Sequence, residues 1–214
     1  LRFEREALEG GGEDERIRSL YQDDAGRIWL AGSEGLAVRE KGRWRRLGPE
    51  AGLLRRDTAV VAPAYGGQGL LVVYFEHHGM SRFRLAPDGT LKEPEHLRCE
   101  EEGGLPMGAI YQAGEDLSGN LWVGSGMGMV LRPDGRTGSD HFDEQDGLPG
   151  NDTSFQCFLV GSDGRVWVGT SLGLACFDPR EYRGPLSARV QITRLQFGTD
   201  SWLKREQELS AVPY

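Results

Sequence analysis

Three of the chain's five tryptophans occupy the same position of one repeated phrase. The phrase reads Gly26-Arg27-Ile28-Trp29-Leu30-Ala31-Gly32-Ser33-Glu34-Gly35-Leu36. It returns as Gly119-Asn120-Leu121-Trp122-Val123-Gly124-Ser125-Gly126-Met127-Gly128-Met129. It returns again as Gly164-Arg165-Val166-Trp167-Val168-Gly169-Thr170-Ser171-Leu172-Gly173-Leu174. Trp167 follows Trp122 by 45 residues, and Trp122 follows Trp29 by 93, about twice that step. A repeat of roughly 40–50 residues built from short strands is the signature of a β-propeller.

A degenerate copy fills the gap. Aligning Gly79-Met80 with Gly35-Leu36 puts Val73 at the tryptophan position, with Leu70 to Phe75 as the strand. Residues i and i+2 of a strand share a face. The intact copies pair Trp with a small residue there, as in Trp122 with Gly124 and Trp167 with Gly169. The degenerate copy pairs Val73 with Phe75, so total volume is roughly kept. Trp122 and Trp167 are expected to be buried between neighbouring blades, with Gly124 and Gly169 leaving room for the next one.

Each copy parses as four antiparallel strands, the first as Ile17 to Gln22, Arg27 to Gly32, Gly35 to Glu40 and Arg43 to Leu47. Asp-Gly pairs such as Asp163-Gly164 and Asp134-Gly135 suit the tight turns between them, because Gly accepts φ > 0. The second strands are apolar at consecutive positions, as a strand covered on both faces requires. The copies lie near 16–50, 57–98, 107–146 and 153–187, so residues 1–187 read as a partial propeller. The fourth strand of the last copy is unclear. From 188 to 214 the text changes: Arg189 to Phe197 alternates apolar and polar and reads as the start of a different sheet. The fold class is all-β.

Composition narrows function by exclusion. Glycine, 32 of 214 residues, falls at turns between apolar runs, a pattern of many turns and not of disorder. A net charge of −8 argues against a nucleic-acid surface, which needs clustered Lys and Arg. The one basic run, Arg43-Trp44-Arg45-Arg46, reads as a solvated edge strand. No stretch of about 18 apolar residues exists to span a membrane. Cys99, Cys157 and Cys176 have no metal-ligand spacing. Cys157 and Cys176 fall two strands apart in one blade, beyond disulfide reach, and are expected to be buried free thiols.

The phrases "DDAGRIWLAGSEGL" and "GSDGRVWVGTSLGL" and the link "DGLPGN" resemble the two-component regulator propeller repeat. The closing "FDPREY…PLSARVQITRLQFG" resembles the junction into the immunoglobulin-like domain, a β-sandwich, that follows such propellers. Ala31 in place of Gly and the tryptophan missing from the second copy depart from the pattern. The resemblance implies the sensor region of a bacterial hybrid histidine kinase or diguanylate cyclase receptor, on the periplasmic or extracellular side of the inner membrane. It implies a small-molecule ligand, often a glycan fragment. A propeller enzyme (lyase, lactonase or glycosidase) and a protein-interaction scaffold are the alternatives. Four copies are little more than half of the seven-bladed ring usual in that family, and Leu1 to Glu6 read as the last strand of an earlier blade. The terminal blade faces are then open, so self-association is expected, the alternative being that the fragment closes on itself as a small ring.

A ligand site in a propeller is built from the loops at one end. Here those loops carry Glu34, Arg55, Arg56, His77, His78, Met127, Asn151, Asp152 and Ser171. Glu34, Arg55, Arg56, His77, His78, Asn151 and Asp152 are the candidate ligand contacts. Trp29, Gly35, Val73, Gly79, Trp122, Gly124, Gly128, Trp167, Gly169 and Gly173 are the structural positions of the repeat. No catalytic constellation, cofactor motif or metal cluster emerges. The Gly-rich phrase around Gly124 has no helix to receive a phosphate. Asp23-Asp24 and the acids from Asp140 to Asp146 read as solvated turns, without calcium-loop spacing. Asn151-Asp152-Thr153 fits a glycosylation pattern, a short motif of low specificity.

Overall fold

The computed structural model describes residues 2–4, 6, 8, 14–76, 79–98, 105, 108–135 and 138–184, and the backbone of 195–197 and 200–202. The chain divides into two compact units, Leu1–Arg183 and Gly184–Tyr214. The first is an all-β propeller of four antiparallel blades. Blade 1 comprises β1 (Ile17–Gln22), β2 (Ile28–Gly32), β3 (Gly35–Glu40) and β4 (Arg43–Leu47). Blade 2 comprises β5 (Thr58–Ala64), β6 (Gly69–Tyr74), β7 (Met80–Leu85) and β8 (Leu91–Leu97). Blade 3 comprises β9 (Gln112–Glu115), β10 (Leu121–Ser125), β11 (Gly128–Arg132) and β12 (Asp140–Phe142). Blade 4 has three strands among the described residues, β13 (Thr153–Val160), β14 (Val166–Thr170) and β15 (Gly173–Phe177). In the second unit β16 (Leu195–Phe197) pairs antiparallel with β17 (Asp200–Trp202); residues 189–194, where the alternation begins, lie outside the described residues.

One turn device recurs. The Asp23 carboxylate accepts the Trp29 indole N–H at 2.8 Å, the Arg27 backbone N–H at 2.9 Å and the Arg27 Nε–H at 2.6 Å. Asp116 does the same for the Trp122 indole at 2.9 Å and for the backbone N–H groups of Ser118 and Asn120. A buried indole N–H needs a partner, and an aspartate six residues upstream supplies it while closing the hairpin. Asp23 is therefore buried, not solvated. Burial alone would raise its carboxyl, but the Trp29 and Arg27 hydrogen bonds outweigh it and hold it below the ordinary range. In blade 4 Gly161 stands at the aspartate position, and Asp163 accepts the Arg165 backbone N–H at 3.1 Å and pairs with the Arg165 Nε at 3.7 Å, without reaching the indole.

Blades join by a parity rule. Trp29 and Ala31 pack with Val61, Leu70 and Val72 of blade 2. Leu71 and Val73 pack with Leu121 and Val123 of blade 3. Trp122 packs with Val166 and Val168 of blade 4 and lies against the Phe142 and Phe177 rings. Trp29 and Trp122 are 0% and 2% exposed, each contributing about 2–3 kcal/mol of burial. The blade 2 register differs from the expectation by two residues. Val73 lies opposite Met80 as Ala31 lies opposite Leu36, so Leu71 is the counterpart of Trp29. The cause is the β6–β7 loop, residues 75–78, two residues longer than Ser33-Glu34. Parity survives because the shift is two. Phe75, expected beside Val73 in the strand, lies in the loop.

Trp167 belongs on the same face of blade 4 and is only half-buried. Beside it lie Leu159 and Leu174, 62% and 65% exposed. Cys157 and Cys176 are exposed there as well, not buried, because no blade among the described residues covers this face. Gly124 leaves room for Thr153 of the next blade, whose Oγ1 a Cβ would meet at 2.7 Å, but Gly169 makes room for Cys157 of its own blade. The outer face of blade 1 is instead held to the N-terminal segment. Glu6 accepts from Arg39 at 2.7 Å and from the Trp44 indole at 3.3 Å, and Glu15 pairs with Arg46 at 2.9 and 2.5 Å. No strand forms among Arg2, Phe3, Glu4 and Glu6. In the basic run, Arg43 and Arg45 are exposed on the edge strand, while Trp44 and Arg46 are tied down. A Gln156 Nε2 bond to the Arg18 carbonyl oxygen joins β13 to β1.

Candidate functional site at one end of the propeller

The β2–β3-type loops and the blade-to-blade links share one end, which two threonine clasps order. Thr58 Oγ1, fully buried, donates toward the Gly32 and Gly35 carbonyls at 3.2 and 3.1 Å and accepts the Gly32 N–H at 3.0 Å. Thr153 Oγ1 donates to the Ser125 carbonyl at 2.9 Å. Each fastens the start of an inner strand to the second hairpin of the blade before. The link from blade 1 to blade 2 and the long loop of blade 2 meet in a depression of about 360 Å³ lined by Leu54, Arg55, Arg56, Asp57, Phe75 and Glu76.

Its geometry is fixed from below. Arg18 of β1, largely buried, pairs with Asp57 and donates to the Thr58 carbonyl at 2.8 Å. Its guanidinium lies 4.0 Å from the Phe75 ring centroid, a cation–π contact. The Phe75 N–H donates to the Asp57 carbonyl at 3.0 Å. Leu54 enters a hydrogen-bonded chain that runs through the core to the surface: its N–H donates to Tyr74 Oη at 2.9 Å, Tyr74 Oη lies 2.8 Å from Ser81 Oγ, and Ser81 Oγ lies 2.7 Å from His96 Nδ1. The three side chains are thus linked without a break. Partial burial, then Arg98, lowers the His96 pKa. Ser81 is fully buried, so its hydroxyl does not face a substrate, while His96 at the end of the chain is exposed.

The candidate contacts do not all converge. Arg55 and Arg56 line the depression. Glu34, Asp152 and Ser171 are exposed on their loops, and Met127 is 60% exposed. Asn151 is half-buried, and its Oδ1 accepts the Glu144 N–H at 2.8 Å, fixing the link into blade 4. His77 and His78 lie outside the described residues. Phe75 and Glu76 were missed because a strand was expected through Phe75. Among the described residues no group of three His, Cys, Asp or Glu side chains could hold a metal, and no helix is long and apolar enough to cross a membrane.

A second depression, of about 290 Å³, opens at the opposite end between blades 2 and 3. There Arg82 donates to Glu95 at 2.6 and 2.9 Å and to Glu115 at 3.1 Å, and Glu115 also accepts the Tyr65 N–H at 2.6 Å. Arg132 lies 3.7 Å from Glu95. Burial pushes Glu115 up despite Arg82. These charges satisfy one another and lock the two blades.

Known proteins match at two levels. The model of the two component regulator propeller family matches residues 11–34 and 147–171. No curated protein sequence matches. Among solved structures, the extracellular domain of a putative hybrid two component system from B. thetaiotaomicron is 20% identical over 76% of this chain and 22% of its own, with a TM-score of 0.59. A second such domain from the same organism is 15% identical over 75% and 21%, at 0.54. Virginiamycin B lyase from Staphylococcus aureus is 16% identical over 77% and 56%, at 0.50. At these identities the likeness is one of fold, and the chain spans about a fifth of the two extracellular domains. The chain is a β-propeller that matches the two component regulator propeller model over residues 11–34 and 147–171.

Proposed function

We propose that this chain is part of the ligand-sensing region of a bacterial signal-transduction receptor, outside the cytoplasm. It binds a small molecule or an oligosaccharide at the loop-bearing end and relays occupancy to output domains. The observation that carries this reading is the regulator repeat in blades 1 and 4. The fold shared with extracellular domains of putative hybrid two component systems supports it. The chain itself does no chemistry in this reading: the Ser81 hydroxyl is buried and the charges of its second depression are mutually paired. The bare face of blade 4 is the surface for self-association. The test is the parent gene. A membrane-spanning helix followed by a kinase or cyclase domain after Tyr214 supports the reading, and a parent lacking any output domain overturns it. Light scattering at about 100 μM checks the association; a strict monomer contradicts it.

A further inference from the structure

The two depressions differ in one respect that bears on ligand chemistry. At the opposite end the arginines are spent on carboxylates. In the depression at the loop end, Arg55 has no hydrogen bond or ion pair among the described residues, and Arg56 has only a longer-range attraction to Glu50. Two adjacent cations without a hydrogen bond or ion pair among the described residues are notable in a chain with 33 acidic and 25 basic residues. The acid next in sequence, Asp57, is already neutralised by Arg18. Only Glu76 adds an unpaired negative charge to the lining.

Beside the arginines stands an aromatic platform. Phe75 is 38% exposed, backed by the Arg18 guanidinium and tied through its N–H to Asp57. The ring is held before any ligand arrives, which lowers the ordering cost of binding. The loop bends at Glu76, which has φ 59°, a left-handed conformation costly for a non-glycine residue.

We propose that this depression binds a small organic anion with one acidic group next to a flat apolar face. Arg55 and Arg56 take the acidic oxygens and Phe75 takes the face. Guanidinium groups match a carboxylate with paired N–H donors. Glu76 sets the limit on charge: a single anionic group is favoured over a polyanion. The proposal rests on the sensing function and names the ligand class for that site.

The test uses the whole chain with defined probes: galacturonate, galactose, benzoate and inorganic sulfate, followed by amide NMR. Galacturonate and benzoate should shift the amides of Leu54 to Asp57 and of Phe75, and galactose should not. Arg55→Ala with Arg56→Ala should weaken galacturonate binding by about tenfold or more, equivalent to about 1.4 kcal/mol. Phe75→Ala should weaken it while leaving the unfolding midpoint unchanged. Sulfate matching galacturonate, with no effect of Phe75→Ala, overturns the platform and marks nonspecific ion pairing. Equal shifts at Arg43 and Arg45 overturn the site. Galactose or a neutral oligosaccharide binding elsewhere at this end, with Arg55 and Arg56 unmoved, overturns the anion class and leaves the sensing function standing. No shift with any probe at about 20 mM, the upper end of weak affinity, overturns the site, whereas failure of the sensing function is read from the parent gene.

Discussion

Trp29 and Trp167 stand in the same phrase, on the same strand of their blades, at the same register: Trp29 opposite Val38 and Trp167 opposite Cys176. One is fully buried and the other half-exposed. The phrase places the ring on a face; the next blade buries it. In a repeat protein, stability is a sum of unit and neighbour contributions, and the two tryptophans separate them.

The largest break in that comparison comes from truncation. Trp29→Ala should cost about 3–5 kcal/mol and Trp167→Ala about 1 kcal/mol or less in urea unfolding. Equal losses would mean that blade 4 is covered in solution. The clasps sharpen the contrast at intermediate size. Asp116→Ala strands the Trp122 indole N–H and two backbone N–H groups and should cost about 1–3 kcal/mol. Asp163→Ala, in the blade without the clasp, should stay within about 0.5 kcal/mol; the same urea titration reads both.

His96 gives a smaller, pH-dependent effect. Its folded pKa lies below its ordinary 6.5. The unfolded chain therefore binds the proton more readily, and stability falls as pH drops through 6.5 toward the folded value. Ser81→Ala removes the hydrogen bond at Nδ1 and should shift the His96 pKa, followed by imidazole NMR; an unchanged pKa would remove Ser81 from the account. Smallest of all, Leu159→Ser and Leu174→Ser should leave monomer stability within about 0.5 kcal/mol while lowering self-association in sedimentation. A large loss of stability would show that the face is not bare.

The architecture was readable because each signal is local. Turn residues and the tryptophan phrase mark the strands of blade 1 to within one residue. Blade 2 shows where reading by pattern stops. Its longer loop moved the register by two, and the change of one strand residue into a loop residue hid Phe75 from the candidate site. Arg18, 57 residues before Phe75 in the chain, gives no sequence sign that it will lie beneath that ring. The thiols of Cys157 and Cys176 were assigned to the correct strands, but their exposure depends on a neighbour and not on their own text. Asp23 looked like any turn acid; only the indole it meets distinguishes it.

The parity rule makes the stack directional. Each blade presents a tryptophan-side face forward and an aliphatic face backward, so one blade follows another only head to tail. Such heterologous contacts have two ends by construction, and they close into a ring only if the rotation per unit divides the circle. Blade 1's backward face carries a polar strap through Glu6 and Glu15, and blade 4's forward face carries none. The array thus has a blunted end and a sticky end, like a polymer capped on one side. Growth, closure or pairing is therefore directed to the forward side.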